Sequence, residues 1–185
     1  ITVTPEHPVF IYQGNEIKEI SAALIKEGML APMPRHTKNK GKTQNIEQIQ
    51  LNSRNKQIEL PKTLNSQIAY FLGFYGAEGH NYKNEKTRNY EIGVSNTNEE
   101  LINKIIEETK KEFKITILKD IKTKEKRKNS TKDLFTARII SKPFYKFFEL
   151  NFPEFINKAP NKRIPQKIKM SKEEIKEKFL QGYFM

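Results

Sequence analysis

The sequence predicts an α+β fold, a small all-β segment followed by helices and strands in the order α-β-β-α-β-β-α. Two observations carry the prediction. The apolar pattern changes character past residue 60, from short β runs and turns to stretches that alternate between helical spacing and strict strand alternation. A chain of 185 residues with 36% hydrophobic residues, 12 Phe and 7 Tyr among them, also has enough apolar material for a true core.

Taken in order, "TVTPEHPVFIY" and "IKEISAALIKEGMLAPMPR" flank a turn at Gly14-Asn15, and residues 1–45 read as a β module. Residues 46–63 are polar and without period, a linker or a covering segment, to which Ile46, Ile49 and Leu51 could add a strand. Residues 64–170 carry the alternating elements. Ser66–Glu78 is a helix, "HNYKN" a strand, and "RNYEIGVSN" a strand with Tyr90, Ile92 and Val94 on one face. Thr97 and Glu100 form a capping box for a helix ending near Glu112. "FKITILKD" and "DLFTARIIS" are strands joined by a basic loop, and "PFYKFFEL" is a short helix with Pro143 in its first turn. Residues 171–185 begin a further amphipathic helix.

The helix over "IAYFLGFYGAEG" is unusual. Glycine inside a helix costs roughly 1 kcal/mol against alanine, and a carboxylate closing a buried helix needs compensation. Ala69, Gly73, Gly76 and Ala77 lie at helical spacings on one face, which lets a second helix approach backbone to backbone. The stretch from Leu180 to Phe184 has the same character, with Gly182 in the place of Gly73. Gly73, Gly76 and Gly182 are therefore the expected helix interface, and the glycine face is expected to stay partly uncovered within this chain.

Composition narrows the function. With no cysteine, disulfides and Cys-based zinc sites are excluded, and His7, His36 and His80 are too scattered to suggest a metal cage. No apolar run approaches the roughly 20 residues that span a bilayer, so no membrane partner is expected and a cytoplasmic location is. A net charge of +12 attracts a polyanion, nucleic acid first, although a Lys- and Asn-rich composition also follows from an A·T-rich genome.

At Phe71-Leu72-Gly73-Phe74-Tyr75-Gly76-Ala77-Glu78-Gly79 the chain resembles the LAGLIDADG homing endonucleases, in particular the dodecapeptide (DOD-type) enzymes carried by inteins. Glu78 aligns with the catalytic acid and Gly79 with the closing glycine, while Gly76 departs from the motif's Asp. The α-β-β-α-β-β-α order matches one half of the family fold. In the second copy the acidic position falls two residues past Met185, so the chain reads as a fragment that is inactive alone. "VTPEHPVF" likewise resembles an intein (Hint) splicing motif, with Thr4 and His7 in its Thr-x-x-His; such a pair is also common without catalysis.

The resemblance implies an intein-encoded, site-specific DNA endonuclease region with part of a protein-splicing domain ahead of it. Its substrate would be double-stranded DNA of the intein-less host gene, and its protein partner the flanking host protein. Glu78 would hold Mg²⁺, a hard cation suited to carboxylate and water ligands. Lys162, in "KRIP", would stand near the scissile phosphate, or is a solvated loop lysine. On the sheet, Arg88, Lys114, Thr116, Thr136 and Arg138 are the expected DNA contacts, with Lys122–Lys132 as a loop on the backbone. Two other classes remain: a non-cleaving LAGLIDADG-type DNA- or RNA-binding regulator or maturase, and a purely self-processing Hint-type protein.

Overall fold

The computed structural model describes residues 3–32, 41–50, 58–127, 130–157 and 159–185, within two compact units, Ile1–Asn39 and Lys40–Met185. The first unit is a hairpin of β1 (Pro8–Gln13) and β2 (Glu16–Ser21), paired antiparallel from Pro8↔Ser21 to Gln13↔Glu16. Gly14 and Asn15 take φ of 61° and 68°, the double left-handed step of a type I′ turn, whose twist suits a two-residue hairpin. Ile11 is the one buried hydrophobic side chain among the unit's described residues, and Phe10, Ile17 and Leu30 lie on its surface. Residues 1, 2 and 33–40 of the expected β module lie outside the described residues.

The second unit holds a four-stranded antiparallel sheet in the order β3-β4-β6-β5, formed by β3 (Gly79–Asn84), β4 (Asn89–Asn96), β5 (Leu118–Lys122) and β6 (Leu134–Ile140). Helices α1 (Ser66–Glu78), α2 (Glu99–Phe113) and α3 (Lys142–Asn151) pack on one face of it. α4 (Gln166–Lys169) and α5 (Glu173–Tyr183) follow, and α5 lies along α1. The fold is thus α+β, with each pair of strands preceded by a helix.

Alternation explains the two faces of the sheet. Tyr90, Ile92 and Val94 of β4, with Ala137 and Ile139 of β6, are buried beneath the helices, where they meet Ile102, Ile105 and Phe113 of α2 and the aromatic side of α3. Tyr75 of α1 sits edge-on to Phe148 of α3 at 4.8 Å, and Phe113 edge-on to Phe144 at 5.0 Å, the offset geometry that aromatic quadrupoles favour.

Several local expectations need correction. The α2 N-cap is Asn98, not Thr97: its Oδ1 accepts from the N–H groups of Glu100 (3.0 Å) and Leu101 (3.4 Å). β5 starts at Leu118, later than the sequence pattern indicates. Lys114 closes α2 in a left-handed conformation at φ 49°, with its N–H on the Lys110 carbonyl, and Ile117 then turns into the core before the strand begins. The segment read as linker or cover is a cover where it is described. Ile46 and Ile58 belong to the second unit's core, and residues 41–45 join that unit too. The buried Asn151 amide fixes it, accepting from Glu47 N (2.8 Å) and donating to Glu47 O (3.0 Å). No strand forms over residues 41–50; Asn45 makes only an isolated bridge to Thr63, and Leu51 lies outside the described residues.

Candidate nucleic-acid interface

The site is organised by the α1–α5 contact. A Cβ placed on Gly73 would lie 2.0 Å from the Phe179 carbonyl oxygen and 2.9 Å from Tyr183 N; one placed on Gly182 would lie 2.1 Å from the Tyr70 oxygen and 3.0 Å from Phe74 N. The shift in sequence that carries Gly73 to Gly182 also carries Tyr70 to Phe179 and Phe74 to Tyr183. The contact is therefore reciprocal, as across a local two-fold axis, and only residues without a Cβ allow the two backbones to come so close. Gly76 is more loosely placed, its missing Cβ 3.3 Å from the Tyr183 ring and 3.4 Å from Phe155. Gly73 is buried by α5, so the expectation of an uncovered glycine face is overturned there: this chain's own last helix covers it.

α1 begins at Asn65, whose Oδ1 accepts from Ile68 N at 2.9 Å, and runs straight into β3 without a loop. Gly79 makes this switch possible, because a Cβ there would strike the Tyr75 carbonyl and ring at 2.3 Å. Glu78 is thereby held at the helix–strand junction, exposed, and in no ion pair among the described residues. Lys162 comes from far along the chain to the same junction. Its ammonium donates to Gly79 O (2.5 Å) and Tyr75 O (3.2 Å) and lies 4.4 Å from the centre of the Tyr75 ring. Burial holds its pKa below the ordinary lysine range, and burial likewise pushes the Tyr75 phenol up. Lys162 thus adds a second donor to the Tyr75 carbonyl, which already accepts from Gly79 N, and places positive charge at the negative pole of α1.

The face of the sheet away from the helices is polar. Register puts His80 opposite Gly93, Tyr82 opposite Glu91, Ser95 opposite Thr136, Gly93 opposite Arg138, and Leu118 and Asp120 opposite Arg138 and Thr136. Ser95 and Thr136 share a hydroxyl hydrogen bond of 2.9 Å. A row of charge crosses all four strands. His80 Nε2 lies 3.4 Å from Glu91 Oε1, Arg138 Nη1 lies 3.4 Å from Glu91 Oε2, and Arg138 Nη2 lies 2.6 Å from Asp120 Oδ2.

Of the expected DNA contacts, Thr136 and Arg138 stand on this open face. Arg88 lies in the turn between β3 and β4, at φ 54° and exposed. Lys114 and Thr116 are not on the sheet, for the reason given above: one caps α2 and the other precedes β5. The described part of the Lys122–Lys132 segment folds on itself, with the Arg127 guanidinium donating to Lys132 O (2.6 Å) and Asp133 accepting from Lys124 N (2.7 Å); Lys128 and Asn129 lie outside the described residues. His80, Glu91 and Asp120 were not anticipated. Alternation about Tyr90, Ile92 and Val94 was enough to put Glu91 on the far face, whereas Asp120 depends on the β5 register.

In the first unit, Thr4 and His7 bracket a turn closed by His7 N on Thr4 O at 3.0 Å, and both side chains are exposed. For Mg²⁺, Glu78 offers one free carboxylate, while the adjacent Gly79 carbonyl is engaged by Lys162. No cluster of three or more His, Cys, Asp or Glu able to hold a metal occurs among the described residues. The donors present make at most part of a metal site.

A helix pair joined through glycine, an acid at the end of the first helix, and a polar antiparallel sheet face beside it make up an α+β module. Residues 65–151 match the model of the LAGLIDADG-like domain, and the match supports a LAGLIDADG homing endonuclease-type family for this region. No curated protein matches the chain.

Proposed function

We propose that the second unit is the DNA-recognising and DNA-cleaving region of an intein-encoded homing endonuclease, and that the hairpin unit is part of the accompanying splicing domain. The observation that carries the reading is the placement of Glu78: a free carboxylate at the end of a glycine-paired helix, on the junction that leads into the polar sheet face. LAGLIDADG domains bind double-stranded DNA, and the +12 charge favours a polyanion. Phosphodiester hydrolysis requires an activated water, charge stabilisation on the phosphoryl oxygens and help for the leaving alkoxide. Mg²⁺, when bound, would supply charge for all three.

The chain's own residues have narrower parts. Glu78 would give one hard oxygen to the ion and orient its water. Lys162 would hold the α1 terminus in place through Gly79 O and Tyr75 O, with its charge near the reacting phosphate. Thr136, Arg138 and Arg88 would contact DNA, with the intein-less host gene as target and the host protein as the splicing partner of Thr4 and His7. The lone carboxylate favours a second reading, a non-cleaving LAGLIDADG-type binding module.

A single comparison separates the two. The 185-residue chain, a version extended by a second LAGLIDADG half, and that extension with Glu78→Gln are incubated with duplex DNA and Mg²⁺. Cleavage by the extended protein and none by the Gln variant is expected; binding without cleavage by every form supports the binding module. DNA affinity should also fall by a factor of about 10³ or more from 50 to 200 mM salt if several phosphates are contacted, and a flat response would remove nucleic acid as the partner.

A further inference from the structure

Arg138 does not stand free on the open face. Its guanidinium is lodged between two carboxylates, Glu91 on β4 at 3.4 Å and Asp120 on β5 at 2.6 Å. The two acids differ in burial. Glu91 is 7% exposed and has His80 as its other partner, so it acts as a fixed anchor behind the arginine. The His80 imidazole has room beside it because β4 carries Gly93 there, where a Cβ would lie 2.5 Å from His80 Nε2. The Asp120 side chain is 52% exposed and faces outward beside Arg138.

This arrangement is poorly suited to a phosphate. A carboxylate at 2.6 Å from the guanidinium would repel a phosphate that approached the same nitrogens. It is well suited to a base edge in the major groove. Guanidinium carries five N–H donors, so one bond from each terminal nitrogen to a carboxylate leaves a second N–H on each. Two parallel donors match guanine O6 and N7, and a neighbouring carboxylate oxygen accepts from cytosine N4. The remaining lone pairs of Asp120 have no other described partner.

On the footing that the open face lies on DNA, we propose that Arg138 and Asp120 form one specificity-determining pair that reads a single G·C base pair, Arg138 on guanine and Asp120 on cytosine. Glu91 and His80 are positioning residues that hold the arginine in place. The cross-strand ion pair is then a preorganised reading head, with side-chain entropy already lost before DNA arrives.

The test is in vitro selection from a random duplex library with the 185-residue chain, Asp120→Ala and Arg138→Gln, accompanied by thermal melts of each. The wild-type chain should enrich sequences with one G·C pair preferred about 5- to 150-fold over other pairs at that position. Asp120→Ala should lose that preference at that position only. Arg138→Gln should shift it from guanine toward adenine, the base whose N6 and N7 a glutamine amide matches. If removing the partner of buried Glu91 unfolds Arg138→Gln, Asp120→Ala carries the test, since Asp120 is half exposed. An unchanged sequence preference in Asp120→Ala, with affinity altered evenly across sequences, would make the ion pair merely structural and overturn the proposal. Failure of the wild-type chain to enrich any sequence would overturn the DNA reading itself, and the pair with it.

Discussion

Helices α1 and α5 make one contact from opposite sides and carry different loads. α1 is a core helix: every residue from Ile68 to Tyr75 is buried, and Asn65 caps its start. α5 buries only Phe179 and Gly182, and Lys172 at its N-cap makes no side-chain cap bond. The backbone approach is nevertheless the same at Gly73 and Gly182. Glycine geometry thus fixes how the helices meet, whereas burial around them decides what fails when the contact is lost.

Breaking the contact from the α1 side should have the largest effect. Gly73→Leu puts a full side chain where even a Cβ meets backbone at 2.0 Å, within the stretch Ile68–Tyr75 that is buried throughout. Overpacking above about 3 kcal/mol is expected, read as a large fall in the urea midpoint. An unchanged midpoint would remove the close-approach argument. Gly182→Ala has an equally severe local clash but sits on a helix that can swing away. A loss of about 2 kcal/mol is expected, with amide exchange rising in α5 while β4 and β6 keep their protection. Global loss of protection would contradict the unequal loads.

The two helices also differ at their C-terminal turns. α1 has Lys162 on the Tyr75 and Gly79 carbonyls at its end; the last turn of α5 has no basic residue. Burial lowers the folded-state pKa of Lys162, so the folded chain holds fewer protons than the unfolded chain between that lowered value and the ordinary lysine value. The strain on the charged form is complete below the folded pKa and is relieved as pH rises through it. Denaturation of wild type and Lys162→Met across the alkaline range should therefore show wild type gaining on the variant with rising pH. A constant difference would mean that the ammonium is not desolvated at the helix end. The effect is the smallest of the three, because the group is only half buried.

Much of this was legible in the residues. Gly73 and Gly182 required a close partner for α1, and the repeated character around them identified which helix it is. Alternation in "RNYEIGVSN" gave both faces of β4, whereas no residue pattern placed Lys162 on the α1 terminus: "KRIP" was singled out by resemblance alone, for a role near the phosphate. What failed depended on competition between neighbours. Asn98 took the cap from Thr97, its Oδ1 accepting from both Glu100 N and Leu101 N. Lys114 was claimed by the helix end, which needed a left-handed residue, and β5 could begin only after Ile117 had been buried. The His80–Glu91–Arg138–Asp120 row could not be read from any one segment, since it joins four strands whose register arises only on assembly.

The claim that the α1 terminus presents Glu78 to DNA can be tested without knowing the natural target. The chain has no cysteine, so Glu78→Cys and Lys111→Cys each give a single site for a tethered iron chelate that cuts nearby DNA by hydroxyl radicals. Lys111 is exposed on α2, the layer on the other face of the sheet. Bound to a selected duplex, the chelate at position 78 should cut within a narrow window of the protected site, and the chelate at position 111 should cut nowhere in it. Equal scission from both positions, or none from position 78 on DNA that is demonstrably bound, would contradict the account.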